Sequence, residues 1–354
     1  MAGGSEQAAG GAGPGPGPNF ETGKLGPTPI RELGVSLAGS PLAPALAELE
    51  RELEGRGIRL RPRFYLSTEW GVPFGTIAIA IPFYLARPDL TRLHAERTGF
   101  VEGLSGADLL RYLRHEMGHV VNYAYRLYDR PEWVRLFGSM TQPYVEDYRP
   151  QPFSRRFVRH LPGWYAQKHP DEDWAETFAV WMTPNLDWRA EYAGWPDALA
   201  KLEHCDRTLA ELAGREPPAA ADDLDAEVSE IATPLDQFYR ELEHDGEDLP
   251  PGLDGALRAL FGSLEAAGPG ARDAPCLPAA RLIRGLAGEL PAEVYRWTGH
   301  FPERTRHLLE RLAVAAEALG LVYPAPSERQ ALLAVTTFVT ALAMNHVQRG
   351  SYSS

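Results

Sequence analysis

Apolar positions along the chain recur with two periods. Between Pro41 and Gly55, Leu42, Leu46, Leu49 and Leu53 are spaced by four, three and four, which predicts an amphipathic helix closed by Gly55. Ile58 to Ser67 alternates apolar and polar positions, and so does Thr76 to Ile81 (TIAIAI) after the turn-like Gly71, Pro73 and Gly75, so a strand pair is expected. The next helix is expected over about 106–127: Ser105 and Asp108 make a capping-box-like start, and Leu110, Leu113, Met117, Val120, Ala124 and Leu127 form its stripe. Prolines 143, 150, 152, 162 and 170 then predict an irregular stretch over 138–171, lying across the surface near that helix.

Helix returns in DEDWAETFAVWM (171–182), with acids in its first turn and Trp174, Phe178 and Trp181 on one stripe. Another runs from about Pro196 to Ala213. Past the short PPAAADDLD stretch (217–225), Pro234–Glu243, Gly255–Ala267, Pro278–Leu290, Glu303–Leu319 and Glu328–Val347 all read as helix, an all-helical C-terminal third. The expected organisation is a Gly/Pro/Ala-rich tail over 1–28, an α+β domain over 29–216, a linker over 217–233 and a helical domain over 234–354.

Composition narrows the function. The chain has 354 residues with 44% apolar and 23% charged positions, an ordinary globular balance. Lys plus Arg number 35 against 48 Asp plus Glu, a formal charge of −13 that repels phosphate backbones and anionic lipid, so neither nucleic acid nor membrane is an expected partner. The apolar run Gln330 to Gln348 contains Gln, Thr, Asn and His and is expected as a buried helix rather than a membrane span. Cys205 and Cys276 form no CxxC spacing, and no signal-peptide pattern precedes Lys24, so a reducing cytoplasm is the expected location.

The chemistry lies in His115-Glu116-Met117-Gly118-His119. On a helix, i and i+4 face the same way, so the two imidazoles can bind one Zn2+ while Glu116 reaches a water beside it. A catalytic zinc keeps three protein ligands and an open position, and no cysteine is near to close the site. The third ligand is expected from the acid cluster at 171–176, where Glu172 and Glu176 share a face one turn apart. Asp173 or Glu172 would then orient a ligand imidazole, unless these are solvated acids of a helix first turn. Gly118, in mid-helix, implies a close-packed neighbour.

The stretch WAETFAV (174–180) after HExxH resembles the glutamate helix of gluzincin-type metallopeptidases. It is most similar to the Mlc-titration-factor peptidases, the lethal-factor-type toxin peptidases and a group of bacterial proteins described only as zinc-binding metallopeptidases. The resemblance covers roughly 105–185, with Thr177 where that pattern has an aromatic. It implies a zincin-like catalytic domain with a small sheet, one Zn2+ per chain, His115, His119 and Glu176 as ligands, and Glu116 as general base. In those families a tyrosine lies seven residues before the ligand glutamate; that position here is His169, so His169 or the nearby Tyr165 is expected to stabilise the oxyanion. In similar zincins an edge strand before the metal helix pairs with extended substrate, which would give that role to Thr76–Ile81 unless it is an interior strand. Arg155, Arg156 and Arg159 could meet an acidic substrate or a C-terminal carboxylate, or be a solvated face.

The expected function is therefore a zinc metallopeptidase acting on a peptide or protein substrate, with the C-terminal helices available to a protein partner. Two rivals are a non-catalytic zinc-dependent interaction protein and a zinc amidase acting on a non-protein amide.

Overall fold

The computed structural model describes residues 25–98, 100–145, 148–151, 153–216, 224–243, 253–265 and 275–352. Most of the expected tail and residues 217–223 of the expected linker lie outside them. In chain order the first elements are α1 (Ala43–Gly55), β1 (Arg63–Ser67), β2 (Ala78–Pro82), α2 (Pro88–Thr98), α3 (Gly106–Ala124), α4 (Pro131–Phe137), α5 (Pro170–Met182), α6 (Trp188–Glu191), α7 (Pro196–Leu212) and α8 (Leu235–Glu243). Then follow α9 (Leu253–Glu265), β3 (Cys276–Pro278), α10 (Ala279–Gly285), α11 (Leu290–Thr298), α12 (Pro302–Ala318), β4 (Val322–Pro324) and α13 (Glu328–Arg349). The molecule is mostly helical with two small sheets, an α+β arrangement.

Strands β1 and β2 pair in parallel with Phe64 opposite Ile79 and Leu66 opposite Ile81. All five residues of β2 are buried, and its other side is bridged by Gly71, whose carbonyl accepts the Ala80 amide at 2.8 Å. Of the two readings of Thr76–Ile81, the interior one holds: β1 and the Gly71 segment flank it.

Helix α3 starts as its sequence dictates. Ser105 Oγ accepts from the Asp108 amide at 3.1 Å, satisfying an orphan donor of the helix start, and the Asp108 carboxylate reaches back to the Gly103 amide at 2.9 Å, fixing the chain that enters the helix. Against it packs α5, whose thirteen residues are all buried. The two backbones touch at Gly118, where a Cβ would come within 2.7 Å of Ala175 Cα, and Trp174 Nε1 donates to Gly118 O at 2.9 Å. A mid-helix glycine is thus explained by a crossing that no side chain fits. One turn before Gly118, Arg114 forms a largely buried, two-bond ion pair with Glu52 of α1.

Two apolar cores follow the chain. The first gathers Leu49, Leu53, Ile79, Ile81, Leu113, Met117, Trp174 and Phe178; the second lies within Leu257–Tyr352. Leu235 and Tyr239 of α8 belong to the first core, and the Leu235 amide bonds Thr28 O at 3.0 Å. The first core therefore extends past the 217–233 stretch to include α8. The expected all-helical C-terminal region needs correction, since β3 and β4 pair antiparallel with Leu277 opposite Tyr323. Helix α13 buries one stripe, Ala331, Val335, Val339, Leu342, Ala343 and His346, and leaves Leu333 exposed. By length and composition alone the segment Ala325–Arg349 could cross a membrane, although its buried stripe serves the second core.

Candidate metal centre

The crossing of α3 and α5 sets two imidazoles against the acidic first turn of α5. His115 Nε2, His119 Nε2 and Glu172 Oε2 form a triangle with sides of 3.2, 3.0 and 3.3 Å. All three residues are buried, and their atoms could hold a metal ion. Tetrahedral zinc, with bonds of about 2.0–2.2 Å, places its donors roughly 3.3–3.5 Å apart, close to what this triangle offers.

The outer nitrogens fix the tautomers. His115 Nδ1 lies 3.0 Å from Glu176 Oε1, and His119 Nδ1 lies 2.9 Å from Asp171 Oδ2. A neutral imidazole that donates from Nδ1 turns the lone pair of Nε2 inward. Two imidazole lone pairs and a carboxylate oxygen then converge with no donor between them, an arrangement that a cation relieves.

With no ion bound, the surrounding acids favour the protonated imidazoles, so a bound cation would take the place of the Nε2 protons. Burial alone would depress both imidazoles, but hydrogen bonds to Glu172 and Glu176 hold His115 up at about 9. Burial works the same way on His119, and the charges of Asp171 and Glu172 carry it well above the usual range. Burial opposes charge on Glu172, yet the two imidazoles hold its pKa well below the ordinary value. With Asp171, Glu116 and Glu176, four carboxylates surround two imidazoles, an excess of negative charge suited to a divalent ion.

This geometry places Glu176, the expected third ligand, behind His115 rather than in the triangle. Its Oε1 is taken by His115 Nδ1 and the Leu161 amide, and its Oε2 by the amides of His160 at 2.7 Å and Leu161 at 2.9 Å. Glu176 orients His115, and Glu172, one turn earlier on the same face, meets the imidazoles. The acids of that turn are not solvated: Asp171, Glu172, Asp173 and Glu176 are all buried. Asp173 does not orient an imidazole either, because it pairs with the buried Lys201 at 2.5 Å.

Sequence reasoning missed the residues that brace the acids. Asn122 Nδ2 donates to Asp171 Oδ1 at 2.7 Å, and the Tyr123 hydroxyl donates to Asp171 Oδ2. Tyr144 donates to Glu172 Oε1 at 2.7 Å. Asn122 and Tyr123 follow His119 by three and four positions, the one signal that could have placed them on the site face. Nothing local marked Tyr144.

His169 and Tyr165 separate. His169 caps α5: its Nδ1 accepts from the Asp171 amide at 3.2 Å and its Nε2 lies 3.1 Å from Gln142 O, so both nitrogens are occupied. His169, expected as a candidate oxyanion donor, thus has both nitrogens engaged while it lines the metal cleft together with Tyr165. Positive φ at Gly163 (80°) and Trp164 (62°) reverses the chain just before Tyr165, whose ring centre lies 5.5 Å from that of His115. Burial pushes its phenol well up, so it stays protonated and able to donate. With Glu172 in the ligand position, Tyr165 stands seven residues before it.

Glu116 is 5% exposed, and no hydrogen bond or ion pair engages its carboxylate among the described residues. Burial raises its pKa, opposed by His115 and His119. It faces a cleft of about 830 Å3 that is also lined by Trp70, Gly71, Val72, Tyr144 and Tyr165. The 138–171 stretch is not simply draped over the surface, since Val158 is fully buried and His160 and Leu161 grip Glu176. Arg159 stacks on Trp164 at 3.7 Å, and Arg156 lies 3.7 Å from exposed Asp197; neither they nor Arg155 line this cleft.

Residues 79–193, the segment carrying α3 and α5, match the model of a family described as "Putative zinc-binding metallo-peptidase". No curated protein and no solved structure matches the chain. The matched family and the buried His–His–Glu cluster together support a zinc metallopeptidase in general terms.

Proposed function

We propose that the protein hydrolyses peptide bonds with zinc held by His115, His119 and Glu172. The observation that carries this reading is the unpartnered, buried carboxylate of Glu116 beside a triangle of three convergent acceptors. A purely structural zinc site needs four protein ligands and no base, which disfavours a non-catalytic role. Zinc in such a site polarises a carbonyl and lowers the pKa of water.

The chain's own groups supply the rest. Glu116 takes a proton from the attacking water and returns it to the leaving amine, a role suited to a carboxylate whose basicity burial has raised. The Tyr165 hydroxyl donates to the oxyanion that forms on the scissile carbonyl. Asp171 and Glu176 hold the imidazoles, and Tyr144 holds Glu172, so that charge development meets little reorganisation.

Substrate class follows from the wall of the cleft. Gly71 faces β2 through its carbonyl, so strand alternation turns the amide and carbonyl of Val72 away from the sheet, and Val72 lines the cleft. No backbone hydrogen bond engages them among the described residues. An extended peptide pairing with Val72, its side chains meeting Trp70, Phe74 and Met140, fits this wall.

The test is Glu116→Gln. The variant should keep its zinc and lose hydrolysis of a mixed peptide library by about a hundred- to ten-thousandfold, read by mass spectrometry. Turnover at the wild-type rate in zinc-loaded Glu116→Gln protein would defeat the mechanism.

A further inference from the structure

A second concavity, of about 620 Å3, shares no lining residue with the metal cleft. Arg111 reaches it from α3, Arg159 from the stretch before α5, and Arg296 and Trp297 from α11, with Tyr192 and Trp195 completing the wall. Glu191 is its one acidic lining residue.

Its charge runs against the composition of the chain. Acidic residues outnumber basic ones 48 to 35, so the default neighbour of an arginine is a carboxylate. Yet neither Arg111 nor Arg159 forms an ion pair with a carboxylate among the described residues, and Arg296 meets only the exposed Glu293, at 3.4 Å. Arg159 is half-buried with its guanidinium 3.7 Å over Trp164, which holds the cation in place without neutralising it. Burial weighs against the charge on Arg159, and the carboxylate acting on it, Glu176, is already bonded to His115 and two amides, so an incoming anion would offset the cost.

The aromatic residues are equally unspent. Trp297 is 57% exposed, and Trp195, half-buried, meets Tyr192 at 5.5 Å in an edge-to-face contact; both tryptophans line the cavity. The volume falls within the range of small-molecule sites, about 300–1,000 Å3.

We infer that this cavity binds a small organic anion carrying a flat ring, its phosphate or carboxylate taken by Arg111, Arg159 and Arg296 and its ring by Trp195 and Trp297. A guanidinium presents paired donors that match either anion, and the tryptophan faces accept any ring. The site stands independently of the proposed peptidase activity. It does touch the metal centre's support, because His160 and Leu161 line the cavity with their neighbours while their amides hold Glu176.

The test titrates phenyl phosphate, adenosine monophosphate and inorganic phosphate into the full-length, zinc-loaded protein, followed by calorimetry. Phenyl phosphate or adenosine monophosphate should bind saturably with one site per chain. Whichever of the two binds more tightly distinguishes a simple aryl anion from a nucleotide. Affinity should fall about tenfold or more in Arg159→Gln, and by a similar factor in Trp297→Ala, with zinc content unchanged. Should Arg159→Gln fail to fold, the exposed Arg111→Gln replaces it. Three results would each overturn the inference: no saturable binding up to about 10 mM, equal affinity in the variants, or inorganic phosphate binding as tightly as the ring-bearing anions.

Discussion

Two pairs of buried histidines lie in this molecule, one in each core, and their environments set them apart. His115 and His119 stand with ring centres 5.0 Å apart and nearly edge-to-face; His300 and His346 stand 5.1 Å apart in almost the same attitude. Around the first pair every outer contact is a carboxylate. His300 is instead bonded on both nitrogens to hydroxyls, Nδ1 to Thr305 at 2.7 Å and Nε2 to Tyr352 at 2.9 Å. Burial, together with the charges of His346 and Arg304, pushes His300 down to about 3, whereas carboxylates hold His115 up at about 9. Similar ring geometry thus gives a cation-seeking centre in one core and a neutral hydrogen-bonded relay in the other. The surrounding acids make the difference.

The largest effect expected from breaking the first pair's environment is loss of metal. Glu172→Gln should reduce zinc affinity by more than about a hundredfold, while Glu176→Gln, which removes only an orienting carboxylate, should reduce it by about ten- to a hundredfold. Chelator competition with zinc quantified by elemental mass spectrometry checks the order. A larger loss in Glu176→Gln would restore Glu176 as the ligand.

Next in size is the crossing that creates the environment. Gly118→Ala forces a methyl toward Ala175 Cα, a backbone atom that cannot swing aside, and should cost about 1–3 kcal/mol of stability. Because α5 carries Asp171, Glu172 and Glu176, the same variant should bind zinc more weakly. Thermal unfolding and zinc content, measured together, test both.

The smallest effect sharpens the second pair. A histidine whose folded pKa lies below its unfolded value near 6.5 favours the neutral form, so stability is complete above that pH. It is lost as the pH falls from about 6.5 toward 3, because the unfolded chain takes up the proton first. Unfolding of the C-terminal core, followed through Tm between neutral and acid pH, should show this fall, and His300→Gln should flatten it. An unchanged slope in that variant would remove His300 as its source.

Much of the fold was legible because most helices carry their own signals. The capped start and apolar stripe of α3, the leucine spacing of α1 and the uncharged run of α13 appear where the pattern put them. Four helices were missed, the four-residue α6 among them. In α2 only Leu90 and Leu93 mark the stripe with His94 beside them, α4 has seven residues, and α11 opens behind Pro291 after the three-residue helical turn Leu286–Gly288 that splits the expected Pro278–Leu290 helix. The short β3–β4 pair joins segments far apart in the chain, which no local period records.

The sequence by itself determined that two imidazoles would share one helix face, because i and i+4 spacing is a property of the helix and needs no neighbour. It also required a close contact at Gly118. Which acid completes the site was decided by the tertiary structure. Glu172 and Glu176 differ by one helical turn, about 5.4 Å along the axis, and present the same face, so the choice depends on where α5 crosses α3. The crossing at Gly118 and Ala175, and the amides of His160 and Leu161 that claim Glu176, fix that position. These are contacts between segments distant in sequence, and only the packed molecule contains them.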